Sequence, residues 1–215
     1  CGRENDVALL NRQLVALSRE AAGGRALGAG DLTTTGVPLE PAGTMTYHEL
    51  FEIYTEQITA LAEAGADLLV VETMLGIDEM TVALEAAQSV CTLPVLCSMT
   101  VQADGSGYFG GTCVEAVETL QELGAAAVGI NCSTGPDQLE SLVRNMRQAA
   151  KVPLLVKPNA GMPEISPEGE AIYSMGPAAF AQHMRTLIDA GAALVGGCCG
   201  TDPRYISALR DVLPR

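Results

Sequence analysis

Tryptophan is absent and other aromatics are few, with five Tyr and three Phe in 215 residues. A core made by this chain is therefore built from small and branched aliphatic side chains. Together with 23 Gly this suits tight packing of helices on a sheet, so an α/β layout is expected. Cations are scarce too: 12 Lys and Arg face 26 Asp and Glu, a formal charge of −14, and no stretch gathers the basic residues into a patch. Nucleic acid and anionic membranes are poor partners for such a surface. No apolar run approaches the ~20 residues of a spanning helix, and the N-terminus lacks a basic region followed by an apolar one. The expectation is a soluble, cytoplasmic protein. An odd count of seven Cys, with Cys91, Cys97, Cys113 and Cys132 in or beside apolar patterns, does not read as a secreted disulfide framework.

What is present is ample apolar material, 48% of residues. A chain of this length makes one domain, spanning 1–215, and buries roughly 70% of its unfolded surface. One pattern repeats six times: an apolar run, a turn of Gly, Pro, Asn or Asp, then an amphipathic helix. The strand candidates are 25–32, 67–73, 94–100, 126–132, 153–158 and 193–198, continuous apolar runs as expected of parallel strands covered on both faces. A further helix, about 4–22, precedes them. Thr46 with Glu49 forms a capping box, after which Leu50, Tyr54, Ile58 and Leu61 share a face. Pro136, Pro177 and Pro203 each read as a first helical residue, and Gly65, Gly124 and Gly191 as left-handed caps leading into the next strand.

Repeated βα units make an open doubly wound sheet or a closed (β/α)8 barrel. All six strands carry polar or sulfur residues at the same end: Asp31 with Thr33–Thr35, Glu72 with Thr73, Ser98 with Thr100, Asn131 with Cys132 and Ser133, Lys157 with Asn159, and Cys198 with Cys199. An open sheet would concentrate them at one crevice, so the barrel is favoured. Cys132, Cys198 and Cys199 could converge on one point of the rim, and three thiolates are a soft donor set that suits Zn2+ with a fourth position free. The plainer reading is that a strand-end Cys is a small buried hydrophobe. An adjacent pair between glycines weighs against that, and neighbouring cysteines rarely bridge each other. His48 and His183 fall in helix patterns and read as structural or solvated, and Asp104-Gly105-Ser106-Gly107 reads as a turn.

Gly129-Ile-Asn-Cys-Ser-Thr-Gly-Pro136, Lys157-Pro-Asn-Ala-Gly161 and Gly196-Gly-Cys-Cys-Gly-Thr201 resemble the zinc motifs and linking segment of the homocysteine S-methyltransferase family. The similarity covers essentially the whole chain, and the Asn-Ala-Gly segment with the stretch from Tyr173 to His183 looks most like the homocysteine module of cobalamin-dependent methionine synthase. The resemblance implies a TIM-type (β/α)8 barrel in which Cys132, Cys198 and Cys199 hold zinc and the homocysteine sulfur completes the set. It implies methyl transfer to that sulfur to give methionine. Glu72 matches a carboxylate that anchors the substrate amine. Asn159 matches the Asn that positions substrate or supports the metal loop. The methyl donor is left open: methylcobalamin carried by a separate module, or betaine or S-methylmethionine.

The family's first strand, its Asp-Gly motif, the following helix and the second strand have no counterpart here, so six strands are expected where the barrel has eight, and ~250 residues are usual. The chain then reads as N-terminally incomplete. The expectation is an intact zinc half with weakened amino-acid binding, or at the extreme a catalytically silent zinc-binding paralogue.

Overall fold

The computed structural model describes residues 2–214. Helix α1 (Val7–Ala22) leads into six βα units: β1 (Ala29–Thr33) and α2 (Tyr47–Glu63), β2 (Leu68–Met74) and α3 (Ile77–Val90), β3 (Val95–Met99) and α4 (Cys113–Glu122), then β4 (Ala127–Asn131) and α5 (Glu140–Ala149). The fifth, β5 (Leu154–Lys157), reaches α6 (Pro177–Ala190) through a hairpin of β6 (Pro163–Ile165) and β7 (Ala171–Tyr173). The sixth is β8 (Ala192–Val195) with α7 (Pro203–Val212). The six main strands pair in parallel in the order β1-β2-β3-β4-β5-β8. This is the expected barrel-type arrangement with six strands, and the sheet does not close: β1 and β8 are edges.

The period-2 alternation of the strands sends one set of side chains under the helices. Leu32, Leu69, Val71, Cys97, Met99, Val128, Ile130, Leu154 and Val156 join one core with Leu50, Tyr54, Ile58, Leu84, Leu120 and Phe180 of the helices. With no Trp and little Phe, closeness comes from small residues. Gly129 allows β4 to approach β5 so nearly that a Cβ there would lie 1.7 Å from the Leu155 carbonyl oxygen. The other set faces inward, where Leu68, Val70, Glu72, Leu96 and Lys157 are half-buried and Asp31 and Leu194 exposed. The apolar runs suggested cover on both faces; the sheet has helices on one.

The caps follow the sequence. Thr46 Oγ1 accepts from Glu49 N while the Glu49 carboxylate accepts from Thr46 N, and Gly65, Gly124 and Gly191 take φ of 87°, 93° and 120°. At Pro136 the outcome differs: Pro136–Gln138 is one 3-10 turn, and α5 starts only at Glu140, because the intervening Leu139 turns into the core. The first strand begins at Ala29, not 25, since Arg25–Leu27 follow the Gly23 cap in exposed chain. The last strand ends at Val195, which puts Cys198 and Cys199 on a loop. The β6–β7 hairpin has no counterpart in the sequence reading.

One buried carboxylate ties the β1–α2 loop down. Glu79, on α3 and 6% exposed, accepts hydrogen bonds from Thr34 Oγ1 (2.6 Å), Thr35 N (2.7 Å), Thr35 Oγ1 (2.9 Å) and Tyr54 OH (2.9 Å). Four donors on one carboxylate satisfy the groups whose burial would otherwise be costly. No helix among the described residues is long and apolar enough to cross a membrane.

Candidate metal centre

The three cysteines singled out by their motifs come together at the carboxyl end of the sheet. Cys132 follows β4, Cys198 and Cys199 follow β8, and β5 runs between them. Their sulfurs lie within 4.8 Å of one another, with Cys132 Sγ and Cys199 Sγ 3.3 Å apart. That is far beyond a disulfide's ~2.05 Å, and close enough for one ion to touch all three. Cys132 and Cys198 are half-buried, and Cys199 stands at the open rim.

The backbone is shaped for this meeting. Cys132 has φ 52° and Thr73, at the matching end of β2, has φ 57°, a left-handed conformation unusual for residues with a Cβ. Each is held by a hydrogen bond: Cys132 N donates to Lys157 O (3.2 Å) and Thr73 N to Asn131 Oδ1 (2.9 Å). The cysteine loop is pinned as well. Cys198 N donates to Pro158 O (2.9 Å), Ala160 N to Cys199 O (2.9 Å), and Thr201 Oγ1 to Cys198 O (2.7 Å). Gly200, at φ 77°, leaves room for the Tyr173 ring, which a Cβ would approach to 2.3 Å. The hairpin thus places an aromatic ring beside the sulfurs.

Asn131 is the polar hub beneath the cluster. It is 1% exposed; its Oδ1 accepts from Thr73 N and from Ser98 Oγ (2.7 Å), while its Nδ2 donates to Thr73 Oγ1 (2.8 Å) and toward Cys198 Sγ (3.8 Å). A hydrogen bond from an amide to a sulfur favours the thiolate. Cys198 is correspondingly lowered from the ordinary thiol value to about 5, first by the hydrogen bond from Cys132 and then by that from Asn131, against the opposing cost of burial. Cys132 is pushed upward because it keeps the proton it shares with Cys198, and burial adds to this. Of these two thiols, Cys198 is therefore the readier to lose its proton.

Glu72 and Lys157 form an ion pair on the inner face, each side chain about one-fifth exposed (21% and 22%). Burial lowers the Lys157 ammonium from its usual range, with Asp31 and Cys198 opposing it through space. Burial raises Asp31, with Lys157 opposing. Asn159, 5% exposed, turns its Oδ1 to the backbone: it accepts from Cys199 N (3.2 Å), so of the two roles left open for it the observed contact is with the metal loop. His48 faces Glu52 on the exposed side of α2 and His183 lies on α6, neither near the sulfurs. Asp104 makes the expected turn, accepting from Ser106 N (2.9 Å). The sequence marked Asn131 and Lys157 as strand-end polar residues without giving either a task. The signal was available, since Asn131 sits beside Cys132 and Lys157 is one of only two lysines in the chain.

The family model for homocysteine S-methyltransferases matches residues 1–213. Methionine synthase of Mycobacterium leprae is 31% identical over 186 residues, covering 84% of this chain and 15% of that protein. The chain thus spans about a seventh of that relative's length. Among solved structures, the apo form of the homocysteine methyltransferase MmuM from Escherichia coli superposes with a TM-score of 0.78 at 24% identity, over 98% of this chain and 74% of that one. The metallated form of the same protein gives 0.77 at 23% identity, over 95% and 70%. At that identity the likeness speaks for the fold.

Proposed function

Because the chain belongs to the homocysteine S-methyltransferase family, we propose that it is the homocysteine-binding domain of a zinc-dependent, cytoplasmic methyltransferase that produces methionine. The observation that carries this reading is the convergence of Cys132, Cys198 and Cys199 at the carboxyl rim of a barrel-type sheet. Three sulfurs are the donor set that selects Zn2+ over the oxygen-seeking cations, and three protein ligands leave room for a further one. When bound, the ion would supply the Lewis acidity that keeps an acceptor thiol deprotonated near pH 7, where a free thiol of pKa ~8.5 is mostly protonated.

The chain's own residues do the positioning. Asn131 steadies Cys198 from below, and Asn159 fixes the backbone of Cys199. Glu72 offers its carboxylate to the ammonium group of the acceptor, at a rim deep enough to exclude part of the water that would weaken the contact. The acceptor sulfur gains the methyl group as the donor's bond to it breaks. The donor in this reading is methylcobalamin on a separate module, as the motif resemblance to cobalamin-dependent methionine synthase implies.

The test has two parts. Chain purified under reducing conditions with added zinc is expected to hold one ion by atomic spectroscopy, and Cys198→Ser to hold none; a metal-free wild-type chain overturns the reading. Incubation with homocysteine and labelled methylcobalamin, betaine or S-methylmethionine is expected to yield labelled methionine from the first. Methionine from either of the others reassigns the donor.

A further inference from the structure

The formal charge of −14 is unevenly placed. Residues 26–143 hold seventeen Asp and Glu and not one Lys or Arg, whereas residues 1–25 hold four Arg against three acids. Two features of opposite charge follow from this, both carried by the helix pair α1 and α2. The first is α1 itself, which packs chiefly on α2 and has Val15 as its buried residue. Leu10, Leu14 and Leu17 recur at the spacing that shares one side of a helix, and Leu14 and Leu17 are 60% and 63% exposed. Arg12 is exposed and has no hydrogen bond or ion pair among the described residues. The second feature is a groove of about 540 Å3 along the amino-terminal half of α2, lined by Val37, Met45 and Ile53 and edged by Glu49, Glu52 and Glu56. Glu49 is committed to Thr46 and Glu52 faces His48, but Glu56 is exposed and without a partner among the described residues.

An apolar groove edged with carboxylates fits a helix that presents leucines beside a guanidinium. The chain owns such a helix in α1, and no other segment before Arg144 carries a cation. Leu14 and Leu17 stand exposed, so they do not fill the groove of their own chain. The same side of α1 from a second copy can. We infer that two copies of this chain pair about a two-fold axis, each laying the Leu10, Leu14 and Leu17 side of its α1 into the groove on the other's α2, with Arg12 on Glu56 of the second copy. A two-fold arrangement makes the contact twice, so each patch has to supply only half of the ~1,000 Å2 that a specific interface should clear. Removing leucine and isoleucine from water drives the association, and the Arg12–Glu56 contacts fix its register. This inference depends on neither zinc nor methyl transfer.

Sedimentation equilibrium of the full chain across the micromolar range tests the pairing, under reducing conditions that keep the exposed Cys199 from cross-linking copies. The wild-type chain is expected to be a dimer. Leu14→Asp and Ile53→Asp, on the two sides of the contact, are each expected to leave a monomer. Arg12→Glu sets carboxylates face to face at both symmetry-related contacts and is expected to weaken the dimer by about 10- to 100-fold; Glu56→Arg does the same with cations. The double variant Arg12→Glu/Glu56→Arg is expected to recover the wild-type assembly, which a general loss of structure would not allow. Thermal melting of each variant separates loss of pairing from misfolding. A monomeric wild-type chain overturns the inference. So does a dimer that survives both Leu14→Asp and Ile53→Asp, which would place the interface elsewhere, or a double charge reversal that assembles no better than the single ones.

Discussion

Ile130 and Asn131 are neighbours on β4 and almost equally buried, at 0% and 1% exposure, yet they belong to different regions of the molecule. Ile130 points under the helices into a continuous aliphatic core. Asn131 points to the inner face and holds Thr73, Ser98 and Cys198 in one polar network. One side of the sheet is packed under the helices, and the other holds the polar network beneath the cysteines. Because strand side chains alternate, the two tasks can be assigned to adjacent residues without sharing a contact.

The division can be tested from its strongest consequence downward. Ile130→Ala removes buried aliphatic volume from the covered side and is expected to cost about 2–5 kcal/mol in denaturant unfolding, with the metal content of the remaining folded protein unchanged. A loss of metal in that variant would break the separation. Asn131→Ala on the inner side is expected to lower zinc affinity by about 10- to 100-fold in a chelator competition, as removal of a ligand's hydrogen-bond partner does. An affinity equal to wild type would leave the network without a part in the site.

The smallest effect is one of pH. Cys97, on the covered face of β3, is pushed up to about 12 by burial, whereas Cys198, half-buried in the loop after β8, is lowered to about 5. Alkylation of the metal-free, reduced protein followed by peptide mass spectrometry is expected to modify Cys198 at pH 6–7 and to spare Cys97. Since the folded value of Cys198 lies below that of a free thiol, near 8.5, the stability gained from its thiolate is complete above about pH 8.5 and is lost as pH falls through about 5. Labelling of Cys198 that begins only above pH 8 would show its thiol to be ordinary.

The covered face was the more legible of the two. Apolar period, capping boxes and prolines at helix starts are local signals, and they yielded all six βα units with boundaries a few residues off. The cysteines were legible because Asn-Cys and Gly-Gly-Cys-Cys-Gly are rare patterns with few chemical uses. What escaped depends on distance or shape. The Glu72–Lys157 pair joins residues 85 positions apart. The β6–β7 hairpin has strands of three mostly exposed residues, too short to show any period. Glu79 looks like an ordinary first-turn acid of α3 until Thr34, Thr35 and Tyr54 close over it. The left-handed turns at Thr73 and Cys132 carry no glycine to announce them.

Those two turns have a consequence for how the site fills. A left-handed residue with a side chain costs on the order of 1–3 kcal/mol, and the rest of the fold has to supply it. Here the supply comes from hydrogen bonds to Asn131 and to the β5 backbone. On the proposed zinc reading, the metal would enter a socket whose turns are held by the chain's own hydrogen bonds. A chelator should withdraw it from the same socket, leaving the chain folded and ready to be refilled.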